Sequence, residues 1–209
     1  MPSNPRFSHP VSSTRPFGSH RYDVFSPKLA RGVTVFGRQA LSIWTTLEAS
    51  PSITAYCERP IKLPHAGSRR AIDFWVRDAE GEQFLVIRRD SDRKRDEVLE
   101  VDSIPVRYLE AGELELHQVA LTNWGRVIRD LSAFSRLVPN SLPAEVAVAV
   151  GRGMTIKDLQ LHFAEQAPDL VQLAIFKLLH SGKARCPSLS DKEFSTSLVI
   201  EVPCPALPT

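Results

Sequence analysis

The run Phe84-Leu85-Val86-Ile87 constrains this chain more than any other feature. Four consecutive apolar residues in a short segment bounded by turn signals suit a strand whose two faces are both covered. The turn before it is Asp78-Ala-Glu-Gly81, a hairpin signal, and Ala71 to Val76 leads into that turn as a partner strand. A sheet buried on both faces needs helices or other chain above and below. Phe36, Ala40, Ile43, Trp44 and Leu47 recur at three- and four-residue spacings, which predicts a helix over 36–47. Pro51 marks its end. Extended chain is expected over 53–61, a short charged helix over 91–101 and a further strand over 104–109. The order of helix, three strands, helix and strand predicts an α/β domain built on a mixed sheet flanked by helices.

After Glu110 the strand signal fades. Helices are expected over 116–131, 144–150, 155–165 and 169–179. Thr155, with Asp158 three residues on, gives a capping-box-like start. Lys183 to Cys186 and Ser197 to Val202 read as two short strands. Small helices followed by a hairpin form a winged-helix-like pattern. Gly151-Arg-Gly153 lacks the Lys-Ser/Thr ending of a phosphate-binding loop and reads as a helix-ending turn. Trp44, Trp75 and Trp124 are expected in the core.

The net charge of +2 says little by itself, but it is unevenly spread. Residues 1–32 hold five Lys or Arg (Arg6, Arg15, Arg21, Lys28, Arg31) against one acid, and five prolines. Such a stretch is expected to fold only against a partner, along DNA or on another protein. The remaining body is slightly acidic. The predicted organisation is an N-terminal arm over 1–32, an α/β domain over 33–113 and a helical, winged-helix-like domain over 114–209. Three scattered cysteines with no CxxC pair, and six histidines with no HxxxH pair, suggest neither a disulfide framework nor a structural zinc site. A reducing, cytoplasmic compartment is expected. No apolar run reaches membrane-spanning length, and no secretory signal is visible.

The frame Ile72-Asp73-Phe74-Trp75-Val76, a hairpin, then Glu82-Gln83-Phe84-Leu85-Val86-Ile87-Arg88-Arg89 resembles the restriction-endonuclease core motif. There, an acid at one strand end and an acid and lysine on the next hold Mg²⁺ and a water at the scissile phosphate. The wider pattern, from about Phe36 to Ile200, resembles the TnsA-type endonuclease subunit of heteromeric transposases. It includes Thr46-Leu47-Glu48, Ser52-Ile53, Cys57-Glu58-Arg59-Pro60, Asp73-Phe74 and Ser103-Ile104-Pro105. The resemblance implies a restriction-endonuclease-like core followed by a winged-helix-like domain. It implies work in DNA transposition on transposon-end DNA, with a DDE transposase and an AAA+ ATPase regulator that binds 114–209. A bacterial, nucleoid-associated setting follows from it.

Carried over position by position, the family's strand aspartate falls on Asp73. Its second metal-side acid or amide falls on Ile87, its lysine on Arg89 and its helix glutamate on Ala40. Ala40 and Ile87 offer no oxygen to a hard cation. Arg89 is not a compact replacement for an ammonium. Glu48 lies eight residues after Ala40, about 12 Å along a helix, and would not reach the same ion. Glu58 and Asp90 remain as possible rescuing acids. Asp73 is therefore either a weak metal ligand or simply paired, with Arg89 as the expected cation. The expectation is a degenerate nuclease that needs no cofactor and acts as a scaffold, so that only the 3′ ends of the element are joined. The alternatives are an active Mg²⁺-dependent nuclease nicking 5′ ends through Asp73, Arg89 and Glu58, or a DNA-binding or regulatory module unrelated to transposition. Arg69, Arg70, Arg88, Arg93, Lys94 and Arg95 are candidate DNA contacts, with a solvated loop as the plainer reading of 88–95. The helices at 155–165 and 169–179 have a nearly neutral polar face, which favours protein docking over groove reading.

Overall fold

The computed structural model describes residues 5–64, 70–88, 97–110, 112–113, 116–151 and 153–203. The chain divides into two compact units, one of residues 1–48 and 52–115, the other of residues 49–51 and 116–209.

The first unit is α/β. Its five-stranded mixed sheet is built from β3 (Ala55–Glu58), β4 (Phe74–Arg77), β5 (Glu82–Ile87), β6 (Glu100–Val101) and β7 (Ile104–Leu109), in the order β3-β4-β5-β7-β6. β3, β4 and β5 run antiparallel, and β5 pairs parallel with β7. The hairpin between β4 and β5 closes as its sequence suggests: the Asp78 side chain accepts from the N–H groups of Glu80 and Gly81, and Gly81 takes a positive φ.

The register aligns Cys57, Trp75, Phe84 and Val106 across one face of the sheet. Phe7 lies on this face, 5.5 Å from Trp75 and 5.6 Å from Phe84 between ring centres. The opposite face carries Tyr56, whose hydroxyl accepts from Trp44 Nε1 at 2.8 Å in α1 (Arg38–Ala49). Both faces of β5 are therefore covered, and all four residues of its apolar run are buried.

Two expectations for this unit are corrected. Residues 21–36, placed largely in an arm without its own fold, form a hairpin of β1 (Arg21–Ser26) and β2 (Arg31–Phe36). Bulk composition hid the alternation that buries Val33 and Val35. Phe36, the expected first helical residue, belongs to β2. The short helix expected over 91–101 also fails in its described part: 97–99 have no regular structure and 100–101 form β6. β6 turns into β7 through Asp102 and Ser103, both at positive φ, as a two-residue type I′ hairpin requires. A serine in the place usual for glycine masks that signal.

The second unit is mainly helical: α2 (Gln118–Phe134), α3 (Leu142–Val150), α4 (Ile156–His162) and α5 (Pro168–His180), with a short ribbon of β8 (Met154–Thr155) and β9 (Val199–Ile200). Thr155 Oγ1 caps α4 by accepting from the Asp158 N–H at 3.0 Å, as the sequence suggests. Gly151 ends α3 at positive φ. The strand expected over 183–186 reduces to one bridge, Arg185 with Glu201, while β9 pairs with β8, which the sequence did not reveal. α5 is the central helix: Val171, Leu173, Ala174, Ile175, Phe176, Leu178 and Leu179 are all buried among the unit's own helices. Buried Asn123 of α2 secures the last segment, donating to the carbonyls of Leu189 and Lys192 and accepting from the Phe194 N–H.

One buried polar cluster ties β1, α1 and β3 together. Fully buried Glu48 accepts from Ser26 Oγ and from the Tyr56 hydroxyl at 2.6 Å. Lys28 Nζ donates to the Leu47 carbonyl at 2.7 Å. Burial pulls the Lys28 ammonium from 10.5 down to about 8, with Glu48 working in the opposite direction. Between these values the unfolded chain holds a proton that the folded chain does not, so stability rises with pH. The contribution grows by on the order of 3 kcal/mol across that window. In urea unfolding from about pH 7.5 to about pH 10.5, the native chain should therefore gain stability relative to Lys28→Met. A difference that stays flat with pH contradicts the buried placement of this amine.

Candidate functional site

A cleft of about 280 Å³ lies in the first unit beside the start of β4. Asp73 sits on its wall, immediately before that strand. Its backbone is held on both sides: its N–H donates to the Leu85 carbonyl and its own carbonyl accepts from the Arg59 N–H. Its side chain is held as well. Oδ2 accepts from the Ile87 N–H at 2.8 Å and from Arg70 Nη2 at 2.9 Å. Arg70 Nη2 also donates to the Ile87 carbonyl. The two side chains are only 12% and 13% exposed, so the pair is largely shielded from water. Arg70 thus supplies a cation to Asp73 from three residues earlier; Arg89, the cation expected there, lies outside the described residues.

Ala40 of α1 and Ile87 at the end of β5 are both buried. Ala40 lines the cleft and Ile87 meets Asp73 through its N–H, so both of these residues lie around Asp73. Glu58, at the end of β3, also lines the cleft. Arg31 grips both of its oxygens, at 2.9 and 2.6 Å. That hydrogen bonding raises the Arg31 guanidinium above its usual range. Glu48 does not line the cleft, and its oxygens serve the buried cluster described above.

Mg²⁺ would need several oxygen ligands. Ala40 and Ile87 have none to give, Asp73 is engaged by Arg70, and Glu58 by Arg31. Among the described residues, no three His, Cys, Asp or Glu side chains are grouped to hold a metal ion. The described residues around Asp73 do not fit the ion that the nuclease resemblance implies.

Of the candidate DNA contacts, Arg70 is committed to Asp73. Arg88 reaches Glu97 and, at 2.8 Å, Glu110, with its guanidinium over the Tyr108 ring. Arg69, Arg89, Asp90, Arg93, Lys94 and Arg95 lie outside the described residues. Sequence reasoning named Arg15 and Arg31 only as cations of the N-terminal arm, and it did not place them, Arg59 or Lys62 in this region. Arg59 is the most constrained of them. It is buried, takes a positive φ of 47°, and lies over the Phe36 ring at 4.9 Å. Nothing local marks it, because its side chain bonds the distant carbonyls of Ser12 and Thr34.

No helix among the described residues is long and apolar enough to cross a membrane. In comparisons with known proteins, no family model matches the chain and no curated sequence is significantly similar to it.

The Arg70–Asp73 pair predicts a double-mutant cycle. Arg70→Met strands a shielded carboxylate and should cost about 2–4 kcal/mol in urea unfolding. Adding Asp73→Asn should recover much of that loss, with a coupling of about 1–3 kcal/mol. Additive effects would show that the pair is not formed in solution.

Proposed function

We propose that this chain is a catalytically degenerate TnsA-like subunit of a DNA transposition machinery. It acts as a scaffold that joins transposon-end DNA, a DDE transposase and an AAA+ ATPase regulator. The observation that carries the degenerate part of this reading is the engagement of Asp73 by Arg70 and the Ile87 N–H, with buried Ala40 and Ile87 beside it. A nuclease must keep that carboxylate available to a metal; here an arginine takes its place.

Two features of the fold support the family part of the reading. α1 precedes three antiparallel strands, and β7 then joins parallel to β5, an order expected of a restriction-endonuclease-like core. In the second unit the order α3, β8, α4, α5, the Arg185 bridge and β9 suits a winged-helix-like domain. The burial of α5 leaves it little free surface for a DNA groove. That favours 114–209 as the docking element for the ATPase.

Without a 5′ nick, the element would be joined at its 3′ ends only and yield a cointegrate. The test is to incubate the chain with its transposase, its ATPase and end-containing DNA, in Mg²⁺ or Mn²⁺. The expected products are joined 3′ ends with uncut 5′ strands. Nicks at the 5′ ends that vanish with Asp73→Asn would contradict the reading.

A further inference from the structure

The cleft beside Asp73 is rich in positive charge. Arg15, Arg59, Lys62 and Arg70 line it, against the carboxylates of Glu58 and Asp73, for a formal balance of +2. Both acids are already committed, Asp73 to Arg70 and Glu58 to Arg31 from outside the lining. Arg15 and Lys62 are exposed at the cleft, and no ion pair with a described residue neutralises either.

Arg59 adds an independent observation. Its guanidinium donates from Nε to the Ser12 carbonyl at 2.6 Å and from Nη1 to the Thr34 carbonyl at 2.5 Å. The buried Nη2 has no hydrogen-bond partner among the described residues. An orphaned N–H on a buried cation costs more than a neutral one, and native structures rarely keep it without a reason. The residue also bears the cost of a left-handed backbone. Burial lowers the guanidinium below its usual range, and the neighbouring Glu58 only partly opposes this. Among the described residues, the cleft has more positive charge than its own acids balance, and one of the cations lining it keeps an unpartnered donor.

We propose that this cleft is a metal-independent oxyanion site that takes a phosphoryl group, held by Arg59 with Arg15 and Lys62 at its rim. A tetrahedral phosphoryl group meets donors arriving from several directions, whereas a flat carboxylate suits a single fork. Val35, Phe36 and Phe74 supply an apolar wall, and the volume leaves room for more than the phosphoryl group alone. The phosphoryl group belongs either to a nucleic-acid backbone or to a small phosphate ester; the recognising chemistry is the same. The site stands on the charges of the cleft and does not need the transposition reading.

The test uses the full chain in EDTA at constant ionic strength. Inorganic phosphate should raise the unfolding midpoint saturably where chloride does not. The double variant Arg15→Gln/Lys62→Gln, altered only at exposed positions, should weaken that affinity about tenfold or more. A labelled duplex oligonucleotide, followed by anisotropy, distinguishes the sources. Binding that phosphate displaces and the double variant weakens identifies backbone phosphate. No displaceable oligonucleotide binding, with the phosphate effect intact, identifies a small ester. A midpoint indifferent to phosphate, an affinity unchanged in the double variant, or binding that requires Mg²⁺ would each overturn the proposal. None of these outcomes depends on the nicking assay.

Discussion

A carboxylate lodged between a guanidinium and a backbone N–H holds the centre of the first unit together. Asp73 joins the approach to β4 with the end of β5 through its side chain, and with Arg59 through its carbonyl. Arg70 closes the arrangement by reaching the Ile87 carbonyl. In a low-dielectric setting such a pair is weak as net stabilisation but costly to break from one side. Apolar Ile87 and Ala40 fit this arrangement. A second carboxylate at either position would crowd Asp73 with like charge and call for a metal to relieve it. With arginine supplying the positive charge internally, the Asp73 carboxylate is neutralised without a metal ion.

The same logic extends to the cations around it. The basic N-terminal stretch is not a loose reservoir of charge. Arg31 sits in β2 and neutralises Glu58, Arg21 pairs with Asp23, and Arg15 comes to the cleft. The backbone of the stretch is fixed by the Val11 N–H to the Arg59 carbonyl and by Phe7 against Trp75. Consuming both carboxylates in ion pairs leaves Arg59 and the rim cations in excess. A centre suited to a cation in the nuclease pattern thereby becomes a centre suited to an anion.

Much of this fold is legible in the residues. β4 and β5 follow from the turn chemistry of Asp78 to Gly81 and from the run at 84–87, and α1 from the spacing of Ala40, Ile43, Trp44 and Leu47. The α4 cap follows from Thr155 and Asp158. The hairpin of β1 and β2 was obscured because composition averages over proline-rich and alternating segments alike. β6 was obscured because Asp102 and Ser103 adopt left-handed geometry without a glycine. In the site, that the side chains of Ala40 and Ile87 offer no oxygen to a metal is visible in sequence, because side-chain chemistry alone decides it. The partners of Asp73 and Glu58 are not. Arg70 lies outside any regular element, and Arg31 is 27 residues from Glu58, so only the tertiary fold brings the pairs together. Arg59 is hidden for the same reason, its bonds spanning 47 and 25 residues.

If the Asp73 carboxylate belongs to Arg70, the chain should be indifferent to divalent cations at that centre. Titrating Mn²⁺ into the purified protein and following free Mn²⁺ by electron paramagnetic resonance measures this without any DNA or partner. The expected result is no stoichiometric site, with identical curves for the native chain and Asp73→Asn. One Mn²⁺ bound per chain, and lost on Asp73→Asn, would contradict it.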